Sequence, residues 1–232
     1  MVALGIDADG TKHPLALVEG STENATLARE LLVDLRERGL DVTCPVLVVL
    51  DGAKALHRAV VDVFDQPVIQ RCQQHKIRNV RDKLPEKLRA LVERRMRDAY
   101  HAESALAAEA KLVALATELD KKHPGAAASL REGMAETLTI LHLDVLPTLA
   151  RTLRSTNPIE SMIAICRDHA ANVKNWRNGT MALRWCAAGM NEAAKQFRRV
   201  NGFMHLAKLR TNLDRYVTDQ KASSTCYNKT VA

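Results

Sequence analysis

Aromatic residues are nearly missing from this chain. Three Phe, three Tyr and two Trp make up 3% of its 232 residues. Ala and Leu are plentiful instead, and that balance leans towards helix. Long apolar runs are missing too. No stretch of about 18 apolar residues occurs, so no membrane-spanning helix is expected. The N-terminus, MVALGIDADG, is too short and too acidic for a secretory signal. Five cysteines, Cys44, Cys72, Cys166, Cys186 and Cys226, are scattered and odd in number. They predict reduced thiols in a cytoplasmic protein rather than a disulfide framework. Neither an internal repeat nor a low-complexity tract is present.

What is there bounds the answer further. Hydrophobic residues at 47% and charged residues at 26% make a packed core feasible and wholesale disorder untenable. The length allows one large domain or two small ones. A formal charge of +7 and a pI near 9.3 point to a polyanionic partner, with nucleic acid first.

Up to residue 84 the order reads β-β-α-β-α-β-α. Residues 2–6 form a strand, Asp7-Ala8-Asp9-Gly10 supplies a turn, and residues 13–18 return. An amphipathic helix follows over 21–39, ended by Gly39. Residues 45–50 are a continuous apolar run, typical of a strand buried on both faces. After a helix over 53–64, a short strand at 68–70 leads into a basic helix. An antiparallel hairpin feeding a parallel crossover predicts an α/β sheet with helices outside. From residue 85 to about 153 strand signals vanish, and helices are predicted at 85–100, 102–119 and 124–142. Further helices cover 158–171, 179–200 and 203–216, ahead of a polar tail expected to be flexible.

Several residues could carry chemistry. Asp51 follows the apolar strand, at the edge where α/β sheets place ligands. An Asx turn with Gly52 explains it equally well. Cys72 and His75 lie one helical turn apart and share a face. With Cys166 and His169, which repeat the spacing, a Cys₂His₂ zinc site can be drawn. A buried Cys beside a hydrogen-bonded His is the plainer reading. Arg71, Lys76, Arg78 and Arg81 open a basic stretch that continues through Lys83, Lys87, Arg89, Arg94, Arg95 and Arg97. It suits a phosphate backbone, or simply a solvated helix face. Trp176 and Trp185 read as core residues, although Trp176 sits between Lys174 and Arg177 and could stack on a base. In Asn157-Pro158-Ile159-Glu160, Asn suits an N-cap, Pro suits N1, and Glu160 at N3 closes a capping box. The same placement would aim a metal ligand.

Taken together, Leu50-Asp51-Gly52, Gln70-Arg71-Cys72-Gln73-Gln74-His75-Lys76-Ile77-Arg78-Asn79-Val80 and Ser155-Thr156-Asn157-Pro158-Ile159-Glu160 resemble the Mutator-like bacterial insertion-sequence transposases. The likeness spans nearly the whole chain. It implies a ribonuclease H-like core, interrupted by an all-helical insertion and followed by a helical C-terminal region. The implied parts are a partial core over 1–84, the insertion over 85–153, the helical end of the core over 154–216 and a flexible tail over 217–232. Asp51 and Glu160 correspond to the second and third carboxylates of a DDE triad that binds two Mg²⁺ (or Mn²⁺) ions. Cys72 and His75 match the motif beside that site. The implied activity is metal-dependent cleavage and strand transfer of double-stranded DNA, at transposon ends and target. The implied protein is cytoplasmic, nucleoid-associated when bound to DNA, homo-oligomeric in its intact form and independent of membranes. The family's first catalytic Asp lies on a strand preceding residues 2–6, and a DNA-reading helical domain lies further upstream. Neither occurs here, and Asp7 and Asp9 read as turn residues. The expectation is an N-terminally truncated, inactive copy without its first core strand. The alternative is a non-catalytic DNA-binding or dimerising fragment that interferes with intact transposase.

Overall fold

The computed structural model describes residues 1–20 and 25–229, with side chains through residue 222. Strand β1 (Val2–Ile6) pairs antiparallel with β2 (Lys12–Leu17). Asp7 makes the turn: its Oδ1 accepts from the N–H groups of Asp9 and Thr11 at 3.0 and 2.8 Å. Ala3 faces Ala16 and Leu4 faces Pro14, so Leu15 bulges out of the ladder. Helix α1 (Ala25–Glu37) follows; its expected start at Ser21 lies outside the described residues. Gly39, at φ +101°, lets the Leu40 N–H reach back to the Leu35 carbonyl at 3.0 Å.

Strand β3 (Val46–Leu50), helix α2 (Lys54–Val63) and strand β4 (Pro67–Arg71) form a parallel crossover, with Leu50 opposite Arg71. Period-two alternation splits the apolar run of β3 between two clusters. Val46, Val48 and Leu50 pack on Val60, Val63 and Phe64, while Leu47 faces Val68, Leu143 and Leu209. Only Leu50 is fully buried, so the expected burial of both faces is realised in direction but not in depth. The expected single sheet is two separate pairs, β1–β2 and β3–β4, among the described residues. The outer edge of β4 is closed by helix ends. Thr139 Oγ1 donates to the Ile69 carbonyl at 2.7 Å, and the buried Gln70 amide bridges the Thr137 carbonyl and the Ile140 N–H.

Beyond α3 (Gln73–Arg81) come α4 (Glu86–Tyr100), α5 (Ala105–Asp120), α6 (Pro124–Arg131), α7 (Met134–Thr137), α8 (Thr139–His142) and α9 (Pro147–Leu153). Ile77, Met96, Leu112, Leu115, Leu130 and Leu138 belong to one core that fixes this helical block onto α3. The single helix expected over 124–142 is three pieces: Gly133 at φ +59° separates α6 from α7, and a second break falls at Leu138 between α7 and α8.

Helices α10 (Asn157–Ala170) and α11 (Gly179–Gln196) lie antiparallel, in close approach where Gly189 meets Cys166. A Cβ on Gly189 would sit 2.8 Å from the Cys166 Cα. The β1–β2 hairpin covers this pair through Val2, Leu4 and Leu17. A short 3₁₀ turn, Phe203–His205, precedes α12 (Leu206–Lys229). The last helix does not end at Tyr216, since Val217 is buried against the strands with Leu213.

Candidate functional site

The C-terminal ends of β3 and β4 are tied together by the Cys72 N–H, which donates to the Leu50 carbonyl at 2.6 Å. Asp51 therefore leaves the sheet beside Cys72. Its Oδ1 accepts from the Ala53 N–H at 2.9 Å, and Gly52 turns at φ +105°. The Asx turn is real, and it occupies one carboxylate oxygen only.

Across this edge stands the start of α10. The N-cap is Thr156, not Asn157, and its side chain caps no backbone N–H. Instead Thr156 Oγ1 donates to Glu160 Oε1 at 2.7 Å. The capping box read from the sequence is thus replaced: Glu160 sits one residue too far into the helix and is held by a hydroxyl, with its carboxylate 47% exposed. Thr156 also contacts the buried Cys72 Sγ at 3.5 Å and His75 Nδ1 at 3.3 Å. His75 Nδ1 is 3.2 Å from Cys72 Sγ and 3.8 Å from Glu160 Oε1. Cys72, His75, Thr156 and Glu160 therefore form one contiguous cluster, locked by the Gln73 N–H donating to the Arg154 carbonyl at 2.9 Å. Thr156 was the member that sequence reading passed over, although it lies inside the T-N-P-x-E block.

The drawn Cys₂His₂ set is not brought together. Cys166 packs against α11, with its Sγ 3.7 Å from the Cys186 carbonyl, and His169 turns back to the Ile165 carbonyl. Among the described residues no group of three or more His, Cys, Asp or Glu is placed to hold a metal.

The basic stretch divides sharply. Arg71 and Lys76 were expected to face a phosphate backbone, but both are buried, at 7% and 1% exposure. Arg71 Nη1 donates to the Glu132 carbonyl at 3.1 Å. Lys76 Nζ donates to the carbonyls of Ser129, at 2.7 Å, and Glu132. The two cations cap the C-terminus of α6, where the helix dipole and orphan carbonyls favour positive charge. Burial, then the neighbouring Arg71, pulls the Lys76 ammonium down to about 8. Arg81, Arg95 and Arg97 are paired with Glu93, Glu118 and Glu93. Arg78, Lys83, Lys87 and Arg94 remain exposed, without a carboxylate partner among the described residues.

Three cations gather nearer the cluster. Arg154 is held below its usual range first by burial, then by Arg151 and Arg97. Its Nη1 lies 2.7 Å from His101 Nε2. No carboxylate pairs with Arg151 or Arg154 among the described residues. Nothing in their spacing marks them, because Arg151 sits on α9 and Arg154 at its C-terminal cap, while Arg97 sits on α4.

Fold and cluster together define an α/β protein in which Cys72, His75, Thr156 and Glu160 meet beside the C-terminal ends of a parallel strand pair. A family model described as "Transposase, Mutator family" matches residues 1–200, and the chain belongs to that family. It is 32% identical over 209 residues to a transposase for insertion sequence element IS6120 of Mycolicibacterium smegmatis, covering 90% of this chain and 63% of the relative. It is 31% identical over 175 residues to a transposase for insertion sequence element IST2 of Acidithiobacillus ferrooxidans, covering 75% of this chain and 58% of the relative. A transposase for IS256 in transposon Tn4001 of Staphylococcus aureus is 29% identical over 189 residues, covering 81% of this chain and 47% of the relative. The chain spans under two thirds of the length of these curated relatives.

Proposed function

We propose that the chain is the catalytic portion of an insertion-sequence transposase, built on a ribonuclease H-like core, which cleaves and joins DNA with Mg²⁺ or Mn²⁺. The observation that carries this reading is the Thr156–Glu160 hydrogen bond. It shows the carboxylate oriented by a hydroxyl at a strand edge rather than consumed in capping its own helix.

The donor chemistry of Asp51 and Glu160 suits a divalent cation. Asp51 and Glu160 are hard-oxygen donors, and among the described residues only one carboxylate oxygen of each has a hydrogen-bond partner. Neither pairs with a lysine or arginine among the described residues. They fit as two ligands of such a site. No third acidic ligand joins them among the described residues, and the family resemblance assigns it to an Asp on a strand preceding β1. When bound, divalent ions would supply Lewis acidity for attack of water or a 3′-hydroxyl on a phosphodiester. The protein's own part is positional. Thr156 fixes the rotamer of Glu160, Cys72 and His75 fix Thr156, and the Asx turn fixes Asp51. The cations Arg151 and Arg154 supply the field that holds the DNA backbone near the edge.

The test is divalent-metal-dependent nicking and joining of insertion-sequence end DNA, by this chain covalently continued with its relatives' upstream strand and Asp. Activity should fall to background in Glu160→Gln; equal cleavage after that substitution overturns the assignment. The exposed cations Arg78, Lys83, Lys87 and Arg94, which have no carboxylate partner among the described residues, favour a second reading: DNA binding without turnover, and interference with an intact transposase. Steeply salt-dependent retention on DNA without cleavage is the expected result for it, and no retention at low salt sinks it.

A further inference from the structure

Both tryptophans lie on the surface, against the core role their apolar rings suggest. Trp176 is 45% exposed and Trp185 is 40% exposed. An aromatic-poor chain that leaves its only two indoles half in water, with cations around them, presents the elements of a base-stacking platform. Trp176 sits in the connection between α10 and α11, flanked by the exposed Lys174 and Arg177. Trp185 and the exposed Arg184 lie on α11, about 9 Å along the helix from its start at Gly179. None of Arg167, Lys174, Arg177 and Arg184 has an ion-pair partner among the described residues. The acids nearby are Asp168, exposed on α10, and Glu19, whose carboxylate lies against Gly179 at the start of α11.

The platform continues a path from the candidate site. Counting from Glu160 in steps of four and three, Ala164, Arg167 and Ala171 fall on the same side of α10, and all are exposed. Alanines leave that face low enough for a sugar–phosphate strand to lie on it, and Arg167 supplies a cation two turns from Glu160. The distance from Glu160 to the end of α10 is about 15 Å, the reach of four to five stacked nucleotides.

We propose that the exposed face of α10 and the α10–α11 connection bind an unpaired DNA strand leaving the candidate site, with a base stacked on Trp176 and a second stacking surface at Trp185. This rests on the transposase reading for its ligand, but the measurement needs no turnover. The chain holds only two tryptophans, both exposed, so intrinsic indole fluorescence reports on these two positions alone.

The experiment titrates the full chain with an oligothymidylate, a blunt duplex and a duplex with a 3′ single-stranded tail. Gel retention of the same probes runs in parallel. Quenching should be strong with the single-stranded and tailed probes and weak with the blunt duplex. Trp176→Ala should weaken single-strand binding about fivefold or more, Trp176→Phe should restore it, and Trp185→Phe should leave part of the quench. Lys174→Ala with Arg177→Ala should lower the salt slope by roughly 1.4 for a single strand. Retention with no quenching, or with equal quenching by blunt duplex, overturns the platform and leaves the transposase reading standing. No retention of any probe at low salt overturns the platform together with the DNA-binding reading of the 232 residues.

Discussion

Glu160 and Lys76 show how single residues depart from what their neighbours in sequence suggest. Glu160 reads as a capping carboxylate, yet its bond is to the Thr156 hydroxyl at 2.7 Å. Thr156→Val should therefore disturb the carboxylate more than the fold. Stability should change by about 1 kcal/mol or less by urea denaturation, while divalent-metal affinity drops and Thr156→Ser preserves it. Equal metal affinity in Thr156→Val would remove the positioning role. Lys76 reads as a DNA-facing cation and is a buried cap on α6. Its folded pKa, near 8, lies below its ordinary 10.5. Between these values the unfolded chain binds more protons than the folded one, so stability rises with pH through that window. The wild-type chain should gain about 1–3 kcal/mol relative to Lys76→Met from pH 7.5 to 10.5. A difference between the two that is flat with pH would contradict the assignment. At this scale the resemblance implies one site for Asp51, Cys72, His75 and Glu160, and the structure joins Cys72, His75 and Glu160 through Thr156. The bonds each makes were not, because a shift of one residue in the helix start decides whether Glu160 meets a backbone N–H or a side chain.

Among the elements, the strands and most helices follow their sequence periods, and the departures have local causes. The helix expected over 124–142 stops at Gly133, whose left-handed backbone leaves room for the Arg71 guanidinium. Arg71 lies on β4, so no reading of 124–142 alone could require that break. Gly133→Ala combines the left-handed penalty with a clash against a buried side chain. It should destabilise by about 2–4 kcal/mol in urea denaturation, more than an ordinary Gly-to-Ala change; a loss under 0.5 kcal/mol would mean that Arg71 does not hold this corner. The helix α12 was expected to end at Tyr216 because its sequence turns polar there, but Val217 still finds the apolar face of the strands. Amphipathic spacing can set one buried residue per turn beyond the point where bulk composition looks like a tail.

For the whole molecule, an α/β arrangement with an all-helical block after the parallel strands was legible from the order of periods. The separation into two strand pairs was not, since pairing partners depend on tertiary placement rather than on strand sequence. The basic composition also reads differently in three dimensions. Of the cations between Arg71 and Arg97, some cap helices and some pair with Glu93 and Glu118, so net charge overstated the surface available to DNA. Neutralising Arg151 and Arg154 together should weaken DNA retention and reduce its salt slope by about two on duplex; an unchanged slope would place the backbone elsewhere.

The central claim is that Asp51 and Glu160 act together as ligands at the strand edge. Its most direct test is Mn²⁺ titration of the chain followed by electron paramagnetic resonance, with Asp51→Asn and Glu160→Gln beside the wild type and circular dichroism as the control for folding. Mn²⁺ uptake should be saturable in the wild type and about tenfold or more weaker in either variant. Unchanged uptake in both folded variants would contradict it.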